Sequence, residues 1–103
     1  MLKPLIADFT DYRAFAAAQF AYLCATQKYS HRAFSKRAGL GSHNYLLLVL
    51  KGERALGSVG AAKTAKGLQL DANETRAFLN LVYTVHRNEF EKPWDDAFTG
   101  KVA

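Results

Sequence analysis

The residues of this chain best suited to chemistry are its Lys and Arg side chains, which are concentrated in the middle of the sequence. Positions 28–66 carry eight bases against a single acid, Glu53. By contrast, positions 1–27 are neutral and positions 67–103 hold more acids than bases. The eight bases are Lys28, Arg32, Lys36, Arg37, Lys51, Arg54, Lys63 and Lys66. Basic side chains bind phosphate through charge-assisted hydrogen bonds and displace the counterions of a polyanion, so this pattern predicts a polyphosphate ligand.

Side chains that could support catalysis or metal binding do not form a constellation in the sequence. His31, His43 and His86 are far apart, and none stands in a spacing typical of metal ligands. Cys24 falls in an apolar segment, where a thiol is more often an inert core residue than a nucleophile. We therefore expect no enzyme activity, no catalytic residue, and no metal, cofactor or small-molecule site.

Length and composition favour a single small domain. The chain has 103 residues, half of them hydrophobic, which is enough for one core. It has one cysteine, which leaves no internal disulfide, and its apolar runs are shorter than the roughly 18 residues of a membrane span. The first residues do not form a signal-peptide core. We expect a soluble cytoplasmic protein or a fragment of one, with a domain at residues 1–92 and a tail or linker at residues 93–103.

The elements that must position the bases are predicted to be helices. Both prolines, Pro4 and Pro93, lie near the ends, so nothing between them forbids a run of helices. Apolar residues recur at helical spacing along most of the chain. The sequence predicts an all-α fold, a compact five-helix bundle with helices near residues 11–26, 31–38, 42–51, 58–67 and 73–90.

Capping residues and apolar spacing define these helices further. Ser30 and Ser42 stand where N-caps are needed, and Gly39 can adopt the left-handed conformation that ends the second helix. Asp71 and Glu74 are spaced as in a capping box at the start of the last helix. The side chains predicted to face the core are Tyr12, Phe15, Ala16, Phe20 and Leu23 in the first helix, Val59, Ala62, Ala65 and Leu68 in the fourth, and Phe78, Val82 and Val85 in the last.

The second and third predicted helices have the pattern of a helix-turn-helix. Such a motif needs a small residue where its helices cross, a glycine in the turn, and apolar residues between the helices. Ser35 stands at the crossing position, where alanine is more usual, and it can bond back to its own helix. Gly39 stands in the turn. The apolar positions are Phe34, Ala38, Leu40, Tyr45 and Leu48.

These residues also resemble a known family. Residues 30–56, and more loosely residues 12–90, are similar to the N-terminal region of a paralogous bacterial family of Cro/CI-like (XRE-type) helix-turn-helix proteins, whose longer members continue into a C-terminal domain of unknown function. The residues that carry the resemblance are Tyr29-Ser30, Arg32-Ala33-Phe34, Ala38-Gly39-Leu40, Tyr45-Leu46, Val49-Leu50, Gly52, Arg54 and Ala65-Lys66-Gly67-Leu68. The resemblance implies a five-helix DNA-binding domain with a transcriptional role, and it implies no particular operator or ligand. Gly52 comes one residue later than in the broader Cro/CI group.

The third helix is the element that would read DNA. Its spacing predicts Tyr45, Leu48 and Val49 on the core side. The outer side then consists of His43, Leu46, Leu47 and Leu50. We predict base contacts from Ser42, His43 and Asn44 near the helix start. Leu46 and Leu47 are predicted to make apolar contacts, for which a thymine methyl is the suitable group.

The outer leucines also fit two arrangements in which they do not meet DNA. They could pack on another chain, because a helix that is apolar all round is normally buried all round. This alternative describes a protein-protein interaction module that uses the leucine-rich outer face. They could also be covered within the molecule, by another helix or by a tail from Trp94 to Phe98. By its length, the apolar run 45–50 could even be a buried strand, although it has no obvious partner strand.

The sequence as a whole predicts a transcriptional regulator that binds double-stranded DNA in a sequence-specific or semi-specific way. Phosphate contacts need only donors around the groove, so they depend less on the third helix. The predicted phosphate contacts are Arg32, Lys36, Arg37, Lys51, Arg54 and Lys63. The predicted partners are double-stranded DNA and a second copy of the chain in a homodimer.

Overall fold

The computed structural model describes the backbone of residues 2–94 and the side chains of residues 2–85. Within this range the protein consists of helices and contains no strand, which confirms the predicted all-α fold. A short 3-10 helix, Ile6–Asp8, precedes five α-helices. These are α1 (Tyr12–Gln27), α2 (His31–Ala38), α3 (Tyr45–Leu50), α4 (Ser58–Gly67) and α5 (Ala72–Trp94).

The capping residues behave largely as predicted, which explains why most boundaries are close to the predicted ones. The Ser30 hydroxyl accepts a hydrogen bond from the Ala33 amide at 3.0 Å, and Gly39 ends α2 with φ of 75°. Asp71 and Glu74 form the reciprocal capping box at the start of α5, with bonds of 2.7 and 3.0 Å. Each of these bonds satisfies a backbone amide that a helix end leaves without a partner.

The start of α3 was predicted wrongly. The helix begins at Tyr45 with Asn44 as its N-cap, so the cap lies two residues later than the predicted N-cap Ser42. The Ser42 hydroxyl instead accepts a hydrogen bond from the Asn44 amide at 3.2 Å, a local turn that competes with helix formation. As a result, α3 has only six residues, and positions 42–44 belong to the turn that follows α2.

The end of α5 also differs from the prediction. The helix continues through Pro93 to Trp94 instead of ending near residue 90. A proline removes one backbone hydrogen-bond donor from a helix. Because Pro93 is the second-last residue of α5, that loss affects only the final turn. Residues 95–103 lie outside the described residues, and so does the alternative in which a tail from Trp94 to Phe98 covers the outer leucines of the third helix.

The core lies where α1, α2, α3, α4 and α5 meet. Phe15 and Phe78 are fully buried, with ring centroids 6.1 Å apart, and Tyr12 packs edge-on against Phe78 at 6.2 Å. The large buried side chains around these rings include Leu23, Phe34, Leu46, Val49, Leu56, Leu68 and Val82. In α1, the predicted inward residues are buried except Phe20, which is half-buried and packs against the core.

Two predicted inward faces need correction. In α4, Val59 is 67% exposed and Ala62 is also exposed, whereas Ala61 and Thr64 are buried. Small residues occupy both sides of α4, so the sequence offers little contrast between its faces. In α5, Val85 is 49% exposed. Val85 comes one turn after Val82, where α5 has already passed beyond the packed part of the core.

Two glycines let α4 approach its neighbours closely. A Cβ at Gly67 would lie only 2.5 Å from Cε1 of the buried Phe34 ring and 3.1 Å from Cβ of Ala38, both on α2. A Cβ at Gly60 would collide with the Tyr45 hydroxyl on α3. The lack of a side chain at both positions lets α4 pack closely against Phe34 of α2 and Tyr45 of α3, and a larger residue at either position would force a rearrangement.

Candidate nucleic-acid interface

The turn between α2 and α3 is fixed by a buried serine hydroxyl. Ser35 is almost fully buried, and its Oγ donates to the Ser42 carbonyl oxygen at 2.8 Å. Ser35 could have bonded back to its own helix, but its hydroxyl donates across the turn instead. Because this bond reaches across the turn, it holds residues 42–44 in one position relative to α2.

The leucines of α3 are not distributed as the sequence predicted. Leu46 is 0% exposed and belongs to the core, so its predicted role as a base contact was wrong. The reason is that α3 packs against both α1 and α2, which covers more than one side of a six-residue helix. Leu48, predicted to face the core, is half-buried, as is Leu50, which packs on the core.

The burial of the outer leucines shows which of them are covered within the molecule. Leu46 is covered completely, and Leu50 is covered in part. The strand alternative for positions 45–50 was wrong because this segment is helical. Leu47 remains on the surface, with 37% of its area exposed.

The other predicted base contacts are exposed in the turn before α3. Ser42, His43 and Asn44 all lie on the surface. The Asn44 side chain does not cap α3, and the Ser42 hydroxyl accepts one bond, so both keep the capacity to donate to a ligand. This turn leads directly into α3, and Leu47 belongs to the first turn of the helix, so these side chains and Leu47 all lie near the N-terminal end of α3.

All six predicted phosphate contacts are exposed. Arg32, Lys36 and Arg37 lie on α2, Lys51 and Arg54 follow α3, and Lys63 lies on α4. Arg32 and Lys36 are one helical turn apart and share a face pointing away from the buried Phe34. Arg37 lies about 100° further round the helix than Lys36. Because α2 packs against both α3 and α4, the bases are carried by adjacent elements.

Among the side chains of residues 2–85, no acid forms an ion pair with these bases. The ion pair formed among residues 2–85 joins Lys3 to Glu74 at 2.8 Å, and it links the N-terminal segment to α5. That contact is the main reason why the pKa of Lys3 is raised. None of the six bases takes part in an ion pair within the described side chains. Their positive charge is therefore available to an anionic ligand.

Arg54 is held by an aromatic ring. Its guanidinium lies 4.5 Å from the centroid of the Tyr45 ring, on α3. Stacking of this kind restrains the guanidinium plane and leaves its edge available for hydrogen bonds to phosphate. The cation–π contact was not predicted from the sequence, although Tyr45 and Arg54 were each singled out.

Arg13 is a residue of this region that the sequence did not indicate. Its Nε donates to the Val49 carbonyl oxygen at 2.8 Å, and its Nη2 lies 3.5 Å from the Arg54 carbonyl oxygen. The side chain is half-buried between α1 and the C-terminal end of α3. No local signal could have identified it, because its partners are 36 and 41 residues away in the sequence.

Side chains of catalytic type do not come together among the described residues. His31 packs against Phe20, with ring centroids 4.6 Å apart, and burial raises the pKa of the Cys24 thiol. Of the described His, Cys, Asp and Glu residues, no three form a group that could hold a metal ion.

An open, mainly apolar groove of about 320 Å³ lies between the N-terminal segment and α5, lined by Ile6, Phe9, Ala77 and Leu81 among others.

Comparisons with protein-family models, curated proteins and solved structures gave no match for this chain. These comparisons neither confirm nor deny the resemblance to Cro/CI-like proteins, which is carried by the sequence alone, in α2, α3 and the end of α4. A membrane-spanning helix needs about 20 predominantly apolar residues. No helix in the described part of the chain meets that requirement.

Proposed function

We propose that the protein binds double-stranded DNA through α2, the turn after it and α3, as a helix-turn-helix transcriptional regulator of the Cro/CI-like type. The observation that carries the proposal is the set of exposed bases, none in an ion pair with an acid of residues 2–85, on the elements that surround the exposed end of α3. A regulator of this kind would act in the cytoplasm. As a dimer, it would read two half-sites about 34 Å apart on the duplex.

The bases would bind the phosphates on either side of the groove that α3 enters. Arg32 and Lys36 project from one face of α2, and Lys51 and Arg54 follow α3 directly. Phosphate contacts of this kind set the register and orientation of a protein on duplex DNA. Since each contact releases counterions, affinity should depend steeply on salt.

Base contacts would come from the turn and not from several turns of α3. The exposed His43 and Asn44 side chains offer hydrogen-bond donors and acceptors, and an asparagine amide matches the major-groove edge of adenine. The part-buried bond from Ser35 to the Ser42 carbonyl would restrain the backbone from which they project. With few base contacts, sequence selectivity should be modest.

The alternative function is a protein-protein interaction module that uses the outer face of α3. That alternative depended on three outer leucines, and the burial of Leu46 removes one of them. Leu47 alone of the three is exposed, and two bases, Lys51 and Arg54, follow it within seven residues. We therefore favour DNA as the ligand.

A salt titration of duplex binding tests the proposal. Fluorescence anisotropy with a labelled random-sequence duplex should give a slope of log K against log salt of about −0.9 for each phosphate neutralised. The double variant R32A/K36A should bind more weakly, with a slope smaller in magnitude by about 1.8. The matched control R76A removes an exposed base from α5 and should leave both affinity and slope unchanged.

Two results would contradict the proposal. One is the absence of binding at micromolar protein and low salt, which would favour the interaction module. The other is an affinity that ignores salt between about 50 and 200 mM, because binding to phosphates must weaken over this range.

A further inference from the structure

We propose that the protein holds two DNA duplexes together, with a second basic cluster, formed by Lys28, Arg37 and Lys66, bound to the phosphates of the second duplex. The inference rests on the DNA-binding function proposed above, in which α2, the turn after it and α3 bind the first duplex. It goes beyond that function because a protein with two separate DNA-binding surfaces can join duplexes. Lys28 and Lys66 are not among the predicted phosphate contacts.

The end of α1 and the end of α4 meet at a hydrogen bond that places two exposed lysines on neighbouring segments. The Tyr29 hydroxyl, just after α1, donates to the carbonyl oxygen of Gly67, the last residue of α4, at 2.6 Å. Lys28 directly precedes Tyr29, and Lys66 directly precedes Gly67. Both lysines are exposed. The bond therefore holds their two backbone segments side by side.

Arg37 lies on the side of α2 that faces this junction. Phe34 packs there so closely that its ring would lie 2.5 Å from a Cβ at Gly67. Arg37 follows Phe34 by three residues, so it lies about 60° from Phe34 around the helix axis. Burial raises the pKa of the Tyr29 hydroxyl, and the positive charge of Arg37 opposes that rise, which places Arg37 near Tyr29. Arg37 therefore completes the second basic cluster.

The first and second surfaces lie on different sides of α2. Ser35 faces the turn before α3, because its hydroxyl donates to the Ser42 carbonyl oxygen. Arg32 lies about 60° from Ser35 around the helix axis and about 160° from Phe34. Arg37 has the opposite relation, about 60° from Phe34 and about 160° from Ser35. A duplex bound along the turn and α3 therefore meets the side of α2 that carries Arg32, and the second basic cluster stays free.

The chemistry of the second basic cluster fits a phosphate backbone. No acid of residues 2–85 forms an ion pair with its three bases. The polar side chains beside them are the amides of Gln27 and Gln69, which bond to each other at 3.0 Å. None of the large apolar side chains that residues 2–85 expose falls in positions 25–39 or 66–70. Protein-protein interfaces have an apolar core, whereas protein-DNA interfaces are polar and positively charged, so the cluster matches DNA better than an acidic protein.

A bead-capture assay tests the inference. One duplex is fixed to beads, and the protein is added at low salt together with a second, labelled duplex of random sequence. We expect the original chain to retain the labelled duplex on the beads, and we expect retention to fall as salt rises, because phosphate contacts weaken with salt. In a parallel arm, labelled poly-L-glutamate replaces the second duplex as the probe for an acidic protein surface.

The double variant K28G/K66A connects retention to the second basic cluster. Glycine suits position 28, where φ is 56°. Arg37 is left unchanged because it is also one of the predicted phosphate contacts. The variant should bind free duplex within about twofold of the original chain, since charges beyond a Debye length are screened. It should need at least about tenfold more protein to retain the second duplex. R76A, which removes an exposed base from α5, should retain it normally. Melting followed by circular dichroism checks that both variants fold.

The outcomes separate this inference from the proposed function. If the original chain binds free duplex but retains no second duplex, the inference is overturned and the DNA-binding function stands. Normal retention by K28G/K66A would also overturn it, since two copies of the first surface would then join the duplexes. Retention of poly-L-glutamate as strong as that of the second duplex would indicate an acidic protein partner instead. Failure to bind any duplex at low salt would reject the proposed function and this inference together.

Discussion

Replacing Arg13 by methionine should destabilise the protein without removing a phosphate contact. In the structure, the Arg13 side chain crosses from α1 to the end of α3, where Nε donates to the Val49 carbonyl oxygen at 2.8 Å. The guanidinium also lies 4.8 Å from the centroid of the Tyr12 ring. Methionine keeps the apolar stem and loses both polar contacts, so the variant measures those contacts alone.

The expected loss in the free energy of unfolding of R13M follows from the contacts that Arg13 makes. A hydrogen bond to a charged group contributes about 1.5 to 3 kcal/mol, and the low end applies because Arg13 is half-exposed. Loss of the side chain does not leave the Val49 carbonyl unpaired, since it also accepts from the Gly52 amide at 3.0 Å. The cation–π contact adds about 0.5 to 1 kcal/mol, while the 3.5 Å contact to Arg54 adds little. We expect a loss of about 2 to 2.5 kcal/mol, which lowers the melting temperature of a domain this size by about 8 to 20 °C.

Thermal denaturation followed by circular dichroism measures the change, and R32M is the matched control. Arg32 is exposed on α2 and takes part in no ion pair among the described residues, so R32M should change stability by no more than about 0.5 kcal/mol. In the salt titration we expect R32M, and not R13M, to have the effect. R32M should make the slope of log K against log salt smaller in magnitude by about 0.9, and R13M should leave the slope unchanged. The reasoning fails if R13M melts within about 2 °C of the original chain. It also fails if R13M reduces the slope as R32M does, because Arg13 would then contact phosphate.

Two further predictions concern packing and pH. G67A should destabilise the protein by about 1 to 3 kcal/mol in urea denaturation, because its Cβ would lie 2.5 Å from the Phe34 ring. G41A, where a Cβ meets nothing within 4 Å, should change stability by less than about 0.5 kcal/mol, and equal effects at the two sites would contradict a role for close packing at Gly67. Burial raises the pKa of Tyr29, whose hydroxyl donates to the Gly67 carbonyl oxygen at 2.6 Å. The stability it contributes should be complete below pH of about 10 and be lost as pH rises through the raised folded-state pKa. Y29F should be less stable at neutral pH and lose less on going to high pH; a parallel decline in both proteins would exclude a role for this hydroxyl.

The parts of the fold that could be predicted from the sequence are those decided by local contacts. Ser30, Gly39 and the pair Asp71 and Glu74 act on backbone groups within a few residues, so their effects are visible in the sequence. The bond from Ser42 to the Asn44 amide is equally local, but a serine that caps a helix and one that closes a turn have the same neighbours in the sequence. The start of α3 was therefore ambiguous in a way that the other helix starts were not.

The parts that could not be predicted depend on contacts between distant segments. Every position of α3 from Tyr45 to Leu50 is apolar, so no periodic contrast shows that Leu46 is buried and Leu47 exposed. Only the packing of α3 against α1 and α2 decides this. The same holds for Arg13, whose acceptors become neighbours only after the helices have packed. For the candidate site, the bases could be predicted as exposed charges, whereas the side chains that orient them could not.

The burial of Leu46 moves the proposed base recognition away from the middle of α3 and toward the turn before it. Any discrimination between bases then depends on how firmly that turn is held. Ser35 holds it, since its buried hydroxyl donates to the Ser42 carbonyl across the turn at 2.8 Å. An alanine at this position, the usual residue in similar helix pairs, would fill nearly the same space without donating that bond. Serine at the crossing therefore does more than replace a small residue: it ties the Ser42 backbone to α2, and in the proposed function this would lower the entropic cost of binding DNA.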